Sequence, residues 1–355
     1  MIQNGSGPTA SNCIFLYDSA PPVMPASKIM PEPVKENSPS GLHASAASRA
    51  QLATAFAAVY IIWGSTYLAI RIGITEIPPF FLAGARYLIT SAILYPLARA
   101  RSAERPTRQH WAAALLLGAL LPAAGNGFLT WAEQTVPSGI AALLVTTVSL
   151  WMVILEWVRP GGTAPTSRTS VGLLLGFGGI LLLVAPWQSA GRVNLIGAGV
   201  LMTGSLCWAA GSIASRHVKQ PQLPLLRSAM QSLCGGIILF AFGSLTGEAS
   251  RLHFGAITHR GWLALAYLTV FGSIIGYSAY TWLLHAAPPA RVATYAYVNP
   301  VIAILLGWMF AGEHLTPRML VATAVIIAGV VMVIAAPART TVPAEHLPEP
   351  EEAGL

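Results

Sequence analysis

WGSTYLAIRIGI, residues 63–74, lies inside a long apolar run and yet carries Trp63, Ser65, Thr66, Tyr67 and Arg71. Positions three, four and seven apart share one side of a helix, so Trp63, Thr66, Tyr67 and Arg71 line a single face. An arginine near the centre of a lipid-spanning helix costs about 2.5–3.5 kcal/mol, which turns such a face towards protein or water. Arg71 is near the end of the run and could instead snorkel to the interface. Arg86 lies deeper in the next apolar run, where a guanidinium could hold a substrate carboxylate or pair with an internal acid. Asn126, Thr130 and Glu133 are spaced i, i+4, i+7 and share a face, with the acid towards one end. Glu133 is the candidate proton carrier, because burial raises a carboxyl towards working pH; a solvated loop acid is the alternative.

Later in the chain Trp208, Ser212 and Arg216 share a face, as do Ser273, Tyr277 and Tyr280, and Arg291, Tyr295 and Asn299. Aromatic groups with hydroxyls suit an apolar or amino-acid substrate, whereas an interfacial aromatic belt is the plainer reading. Pro300 removes one helical hydrogen bond beside Asn299 and marks a kink where a gate could work. Gly172-x3-Gly176 and Gly272-x3-Gly276 read as packing motifs. This is the chemistry of recognition rather than of bond-making. The eight histidines show no pair four apart for a metal or haem, and no Gly-rich phosphate loop precedes a lysine. No cofactor and no metal is expected.

The elements that must position these groups are membrane spans. Apolar residues make up 54% of the 355-residue chain and charged residues 9%, with mean hydropathy +0.62, whereas soluble domains carry about 25% charge. Ten apolar segments, at about 52–72, 79–98, 111–131, 138–158, 169–186, 195–215, 224–245, 262–284, 290–311 and 319–336, each match a hydrocarbon core of about 30 Å. They are continuously apolar rather than alternating, so they are helices and not barrel strands. The expected class is an all-α integral membrane protein. Residues 1–50 and 339–355, rich in Pro, Ser and Glu, read as polar tails, the first of them disordered. The net charge of +7 is scattered between apolar runs, which argues against nucleic acid as a partner. With the N-terminus cytoplasmic, the inner side receives 14 Lys and Arg and the outer side only Arg192, Arg251, Arg260 and Arg318. That bias favours both termini inside.

The ten spans contain a repeat. Trp63 and Trp208, Arg71 and Arg216, and Pro79 and Pro224 share one offset along the chain. Gly125 and Gly276, with Thr130-Trp131 and Thr281-Trp282, share a slightly longer one. Two five-helix halves result, at 51–190 and 191–338. Five is odd, so the second half enters from the opposite side, and the halves form an inverted repeat. Two such bundles can exchange inward-open and outward-open arrangements around a central site, which points to transport.

WGSTYLAIRIG, the proline-led second span with Arg86, GNGFLTWAEQTVPSGIAALL at 125–144, WAAGSI at 208–213, and YAYVNPVIAILLG followed by Gly312-Glu313 together resemble the EamA-type family of the drug/metabolite transporter superfamily, and within it the YedA-like inner-membrane exporters. The resemblance covers residues 52–336. It implies ten helices in two inverted repeats and efflux of small metabolites or drugs, amino acids among them, across the cell membrane. The sequence departs from the pattern in its long N-terminal tail and in Thr163, which stands where a partner to Glu313 would be. The expected partners are a small-molecule substrate and the bilayer, with protons and a second copy of the chain as further candidates. A lipid or lipid-linked sugar flippase is the alternative function. An intramembrane enzyme using Glu133 and His285 is a remote one.

Topology reporters fused after Glu76, Gln134 and Arg251 should report outside, and one after Arg105 inside. A cytoplasmic signal from the Gln134 fusion contradicts the inverted repeat.

Overall fold

The computed structural model describes residues 48–102, 104–159, 164–184, 194–287, 292 and 294–334. Every described element is a helix. The sequence-predicted tails, apart from residues 48–50, and Thr163 and Arg291 lie outside the described residues.

Helix α1 is Arg49–Gly73, opened by a reciprocal cap in which Ser48 Oγ accepts from Gln51 N and Gln51 Oε1 from Ser48 N. Helix α2, Pro79–Arg101, has proline at its first position, where no N–H is needed, and arginines in its last turn, which suit the helix dipole there. The third column begins as α3, Arg108–Gly118, widens into a π-helical stretch at Ala119–Asn126, and ends as α4, Gly127–Ala132. Pro122 within the π stretch has no N–H and crowds the preceding turn, and a wider turn accommodates it. The fourth column is split at Thr146 into α5, Ser138–Val145, and α6, Thr147–Val158. There the Thr146 and Thr147 hydroxyls donate back to the carbonyls of Leu143 and Leu144, a pattern that bends helices. Helix α7, Ser167–Val184, follows.

The second part of the chain runs through α8, Leu195–Ala214, and α9, Pro224–Leu245. Its eighth column is α10, His259–Tyr267, a second π stretch at Leu268–Tyr277, and α11, Ser278–Ala286. Helices α12, Tyr295–Phe310, and α13, Pro317–Ile334, complete the described fold. Among the described residues, seven columns are long and apolar enough to cross a membrane: α1, α2, α3 to α4, α5 to α6, α8, α9, and α10 to α11. Three shorter apolar helices, Ser167–Leu183, Val298–Phe310 and Pro317–Met332, lie within α7, α12 and α13.

Helix α2 packs on α9, α7 on α13, and α1 on α12 and the second π stretch, while α8 packs on the first π stretch and on α6. Glycines permit the closest crossings. A methyl at Gly329 of α13 would sit 2.6 Å from Gly176 N and 2.7 Å from Gly172 O, so Gly172-x3-Gly176 is a backbone-to-backbone contact. Helix α1 runs antiparallel to the eighth column, with Gly73 against Ala264 and Trp63 against Gly272 and Gly276.

Helix N-termini leave unpaired N–H groups, and here remote carboxylates supply the acceptors. Helices α2 and α5 have prolines, Pro78 and Pro137, at the capping position and no side-chain cap of their own. Glu248 Oε2 accepts from Phe80 N at 2.9 Å and Phe81 N at 3.1 Å. Glu313 Oε1 accepts from Ser138 N at 2.6 Å and Ser138 Oγ at 2.7 Å, and its Oε2 from Gly139 N at 3.1 Å. Glu76 in the connection after α1 accepts from Thr258 N and Thr258 Oγ1, both at 2.7 Å, ahead of α10.

The Thr258 hydroxyl and amide, helped by the Gly261 amide and Arg260, hold the exposed Glu76 carboxyl below its ordinary range against a smaller opposing effect of burial. A carboxylate depressed in the folded state stabilises it above the unfolded value, about 4.3, and that contribution is lost as pH falls through the folded value. The unfolding temperature in detergent should therefore fall on acidification through that window. Glu76→Gln should lower it at neutral pH and flatten its acid limb. Identical acid limbs for the two proteins would contradict the contact's role.

Candidate functional site

A cavity of about 560 Å³, open solvent at its mouth included, lies where α1, α2, both π stretches, α8 and α12 converge. Trp63 is its centre. Its ring meets Trp208 edge-on at 5.5 Å and Tyr295 edge-on at 5.3 Å, and lies tilted against Tyr280 at 4.9 Å. These are the offset geometries aromatic quadrupoles favour. Trp63 Nε1 donates to Gly272 O at 3.2 Å. The second glycine motif thus packs against side chains rather than backbone to backbone. A methyl at Gly276 would stand 2.7 Å from Trp63 Nε1, and one at Gly272 would stand 2.8 Å from Arg86 Nη2, so both glycines make room for cavity side chains.

Arg86 is 3% exposed and faces the cavity from α2. Its Nε donates to Ser273 Oγ at 2.8 Å and its Nη1 to Asn126 Oδ1 at 3.1 Å, while its guanidinium carbon lies 4.9 Å from the Tyr87 ring centre. All of these partners are neutral. Among the described residues no carboxylate lies within ion-pair distance of it, since the ion pairs there are His110–Glu104, Arg159–Glu156 and Arg251–Glu248. Among the described residues the internal acid that the sequence left open as a partner is not at this site.

Of the sequence-predicted residues, Trp63, Thr66, Tyr67, Arg86, Asn126, Trp208, Tyr277 and Tyr295 line the cavity together. Ser212 and Tyr280 form a layer behind it: the Tyr280 hydroxyl accepts from Trp208 Nε1 at 3.0 Å and pairs with Ser212 Oγ at 2.7 Å, which fixes the Trp208 ring. Thr130 is buried off the cavity with its hydroxyl donated to Asn126 O at 2.9 Å. Asn299 is 2% exposed, does not line the cavity, and leaves Oδ1 without a hydrogen-bond partner.

Glu133, one residue beyond the third column, is also away from the cavity. It is fully buried, and neither carboxylate oxygen has a hydrogen-bond partner. Arg71 donates to the main-chain carbonyl of Glu133 rather than snorkelling outwards. Burial pushes the Glu133 carboxyl well above the usual range, with the charge of Glu313 adding and that of Arg71 opposing. His285 bonds Thr281 O through Nδ1 in the last turn of α11, which runs against the opposite end of α1 from Arg71. The structure does not bring Glu133 and His285 together.

Sequence reasoning missed Tyr87, Gly125, Leu129, Val145, Val148, Gly204, Ser205 and Gly272 of the lining. Ser205, three positions before Trp208, was accessible to the same facing rule. Gly125 and Gly204 were not, because they contribute an absence: a methyl at Gly125 would stand 2.6 Å from the Trp208 ring, and one at Gly204 would stand 3.2 Å from Gly125 O.

The model of the EamA-like transporter family matches residues 52–185 and again 195–335. The chain belongs to the EamA-like transporter family. It is 38% identical over 277 residues to the uncharacterized inner membrane transporter YedA of Escherichia coli K12, covering 78% of this chain and 88% of that protein. It is 24% identical over 288 residues to the uncharacterized transporter YvbV of Bacillus subtilis, covering 81% and 92%. It is 25% identical over 282 residues to a probable amino-acid metabolite efflux pump of Escherichia coli K12, covering 76% and 90%. A solved crystal structure, 19% identical, shares the fold at a TM-score of 0.59 over 81% of this chain and 98% of that one. The three sequence relatives are named as transporters or an efflux pump, and the chain is a membrane transporter.

Overfilling the cavity wall has a measurable cost. Gly272→Ala should destabilise the protein by about 1–3 kcal/mol, because Arg86 and Thr66 must both shift. Gly178→Ala, with nothing within 4 Å, should leave the melting temperature in detergent unchanged or slightly higher. Equal midpoints for the two variants would contradict the packing.

Proposed function

We propose that this transporter is a secondary-active exporter of small carboxylate-bearing metabolites, amino acids among them, working by alternating access around the Arg86 cavity. The observation that carries the reading is the buried guanidinium with only neutral partners. A lone cation in a low-dielectric cavity is poised to take a carboxylate, and a planar fork of donors suits one bidentately. Trp63, Trp208 and Tyr295 offer aromatic area for a substrate's side chain, and Asn126 and Thr66 offer polar edges. One relative's name as a probable amino-acid metabolite efflux pump is consistent with this class.

Alternating access rests on reading the chain as ten spans in two inverted repeats at 51–190 and 191–338. The double match of the family model supports it. So do the contacts, since the second span packs on the seventh and the fifth on the tenth, each on its repeat counterpart. The two π stretches fall at the same register, Ala119–Asn126 and Leu268–Tyr277, around the paired Gly125 and Gly276. Trp63 and Trp208, equivalent residues of the two halves, meet at the cavity. The charge bias favours both termini on the cytoplasmic side of the cell membrane.

An untargeted comparison of metabolites in cells with and without the protein tests the substrate class. Carboxylate-bearing compounds should accumulate where it is missing. Removing a charge-assisted hydrogen bond worth about 1.5–3 kcal/mol should weaken apparent affinity about 10- to 100-fold in Arg86→Met, with Arg86→Lys partly retaining it. Accumulation confined to compounds without a carboxylate, or wild-type export by Arg86→Met at equal membrane abundance, would sink the proposal.

A further inference from the structure

We propose that Glu133 is a proton-binding site, and that the proton it carries decides whether Glu313 stays latched onto the N-terminus of α5. The reading of the chain as an alternating-access carrier enters only in what the latch would gate.

The two acids occupy opposite environments. Glu313 has three donors at its carboxylate and the positive end of α5, the setting that stabilises an ionised group. Glu133 has none, although both of its oxygens are buried. An ionised carboxylate without donors costs several kcal/mol in such a place, and the nearest cation, Arg71, is engaged with the Glu133 main chain. The charged groups that act on the Glu133 carboxyl are Glu313 from the turn after α12 and Arg71 from α1, and Glu133 in turn acts on Tyr67 of α1. Of two neighbouring carboxyls, the buried one without donors is the better place for a proton.

Loss of that proton breaks the Glu133 O–H bond and passes the proton to water at the exposed Gln134–Thr135 edge. A second negative charge then stands beside Glu313. The partner that can yield is the turn carrying Glu313. Gly312 takes the left-handed conformation there, at φ 66°, and Ala311, Gly312, His314 and Leu315 are exposed. Outward movement of this turn would free the N-terminus of α5, whose last residue, Val145, lines the cavity. Tyr67 lines the cavity and lies within electrostatic reach of Glu133, which links the proton site to the substrate site.

Infrared difference spectroscopy on the full chain in lipid nanodiscs reads the proton directly and needs neither substrate nor transport. A protonated-carboxyl band should persist at neutral pH in the wild type and be missing from Glu133→Gln. Glu313→Gln, which removes the like charge, should move its titration down by about one pH unit or more. Spin labels at Gln134→Cys and Leu315→Cys, with the native cysteines replaced, should separate as the band disappears. With Glu133→Gln added they should stay close at every pH. If Glu133→Gln inserts poorly, Glu133→Asp marks the same site by a carboxyl band displaced in frequency. A band unaffected by either Glu133 variant, a titration indifferent to Glu313→Gln, or a label distance that ignores the titration overturns the proposal. None of these results depends on the substrate class, which the Arg86 variants test separately.

Discussion

The fold depends on how helix ends at the membrane boundary find partners for their N–H groups. A local side chain normally does this, but α2 and α5 enter behind Pro78 and Pro137, which offer no side-chain acceptor. The acceptors arrive from far along the chain, Glu248 for α2 and Glu313 for α5. Glu76 reaches in the opposite sense, from the first part of the chain to the start of α10. Each contact ties a connection of one part of the chain to the start of a helix far away in sequence. The ends of these columns are fixed by tertiary structure, and a change at a carboxylate in a loop is felt along the helix it caps.

Those fixed columns leave room for the cavity because glycines occupy the crossing points. Gly272 and Gly276 make space for Arg86 and Trp63, while Gly125 and Gly204 let α8 close on the first π stretch. The π stretches serve the same end. A wider turn shifts the helical phase by part of a residue, and it does so on the two columns that supply Asn126, Ser273 and Tyr277.

The phase shift also marks where sequence reading stopped. The face of α1 was legible because α1 is an uninterrupted helix, so Trp63, Thr66 and Tyr67 fell on the cavity as spacing dictates. Arg86 was legible from its depth in an apolar run, a matter of cost rather than geometry. Asn126, Thr130 and Glu133 were grouped as one face by the α-helical period. Only Asn126 reaches the cavity: Thr130 turns its hydroxyl back to Asn126 O, and Glu133 lies past the end of the regular helix at Ala132. The carboxylate caps were illegible, since they join residues that no local pattern relates. Pro78 and Pro137 were the sole hint, signalling helix starts without acceptors.

Arg86 and Glu133 are both buried, both lack an opposite charge at hydrogen-bonding distance, and sit apart. Bringing them together would relieve two penalties of several kcal/mol at once, so stability alone favours a pair. Their separation is intelligible if each is completed by something that comes and goes. A guanidinium already neutralised from within would attract a carboxylate weakly, and a carboxylate already paired would hold its proton only in strong acid. Kept apart, the cation retains its appetite for an anionic ligand and the acid its appetite for a proton. Tyr67, beside the acid and on the cavity wall, lets each occupancy be felt at the other. The carboxylate caps and glycine-based crossings must offset the standing penalty, and one of those caps, from Glu248, holds the start of the helix that carries Arg86.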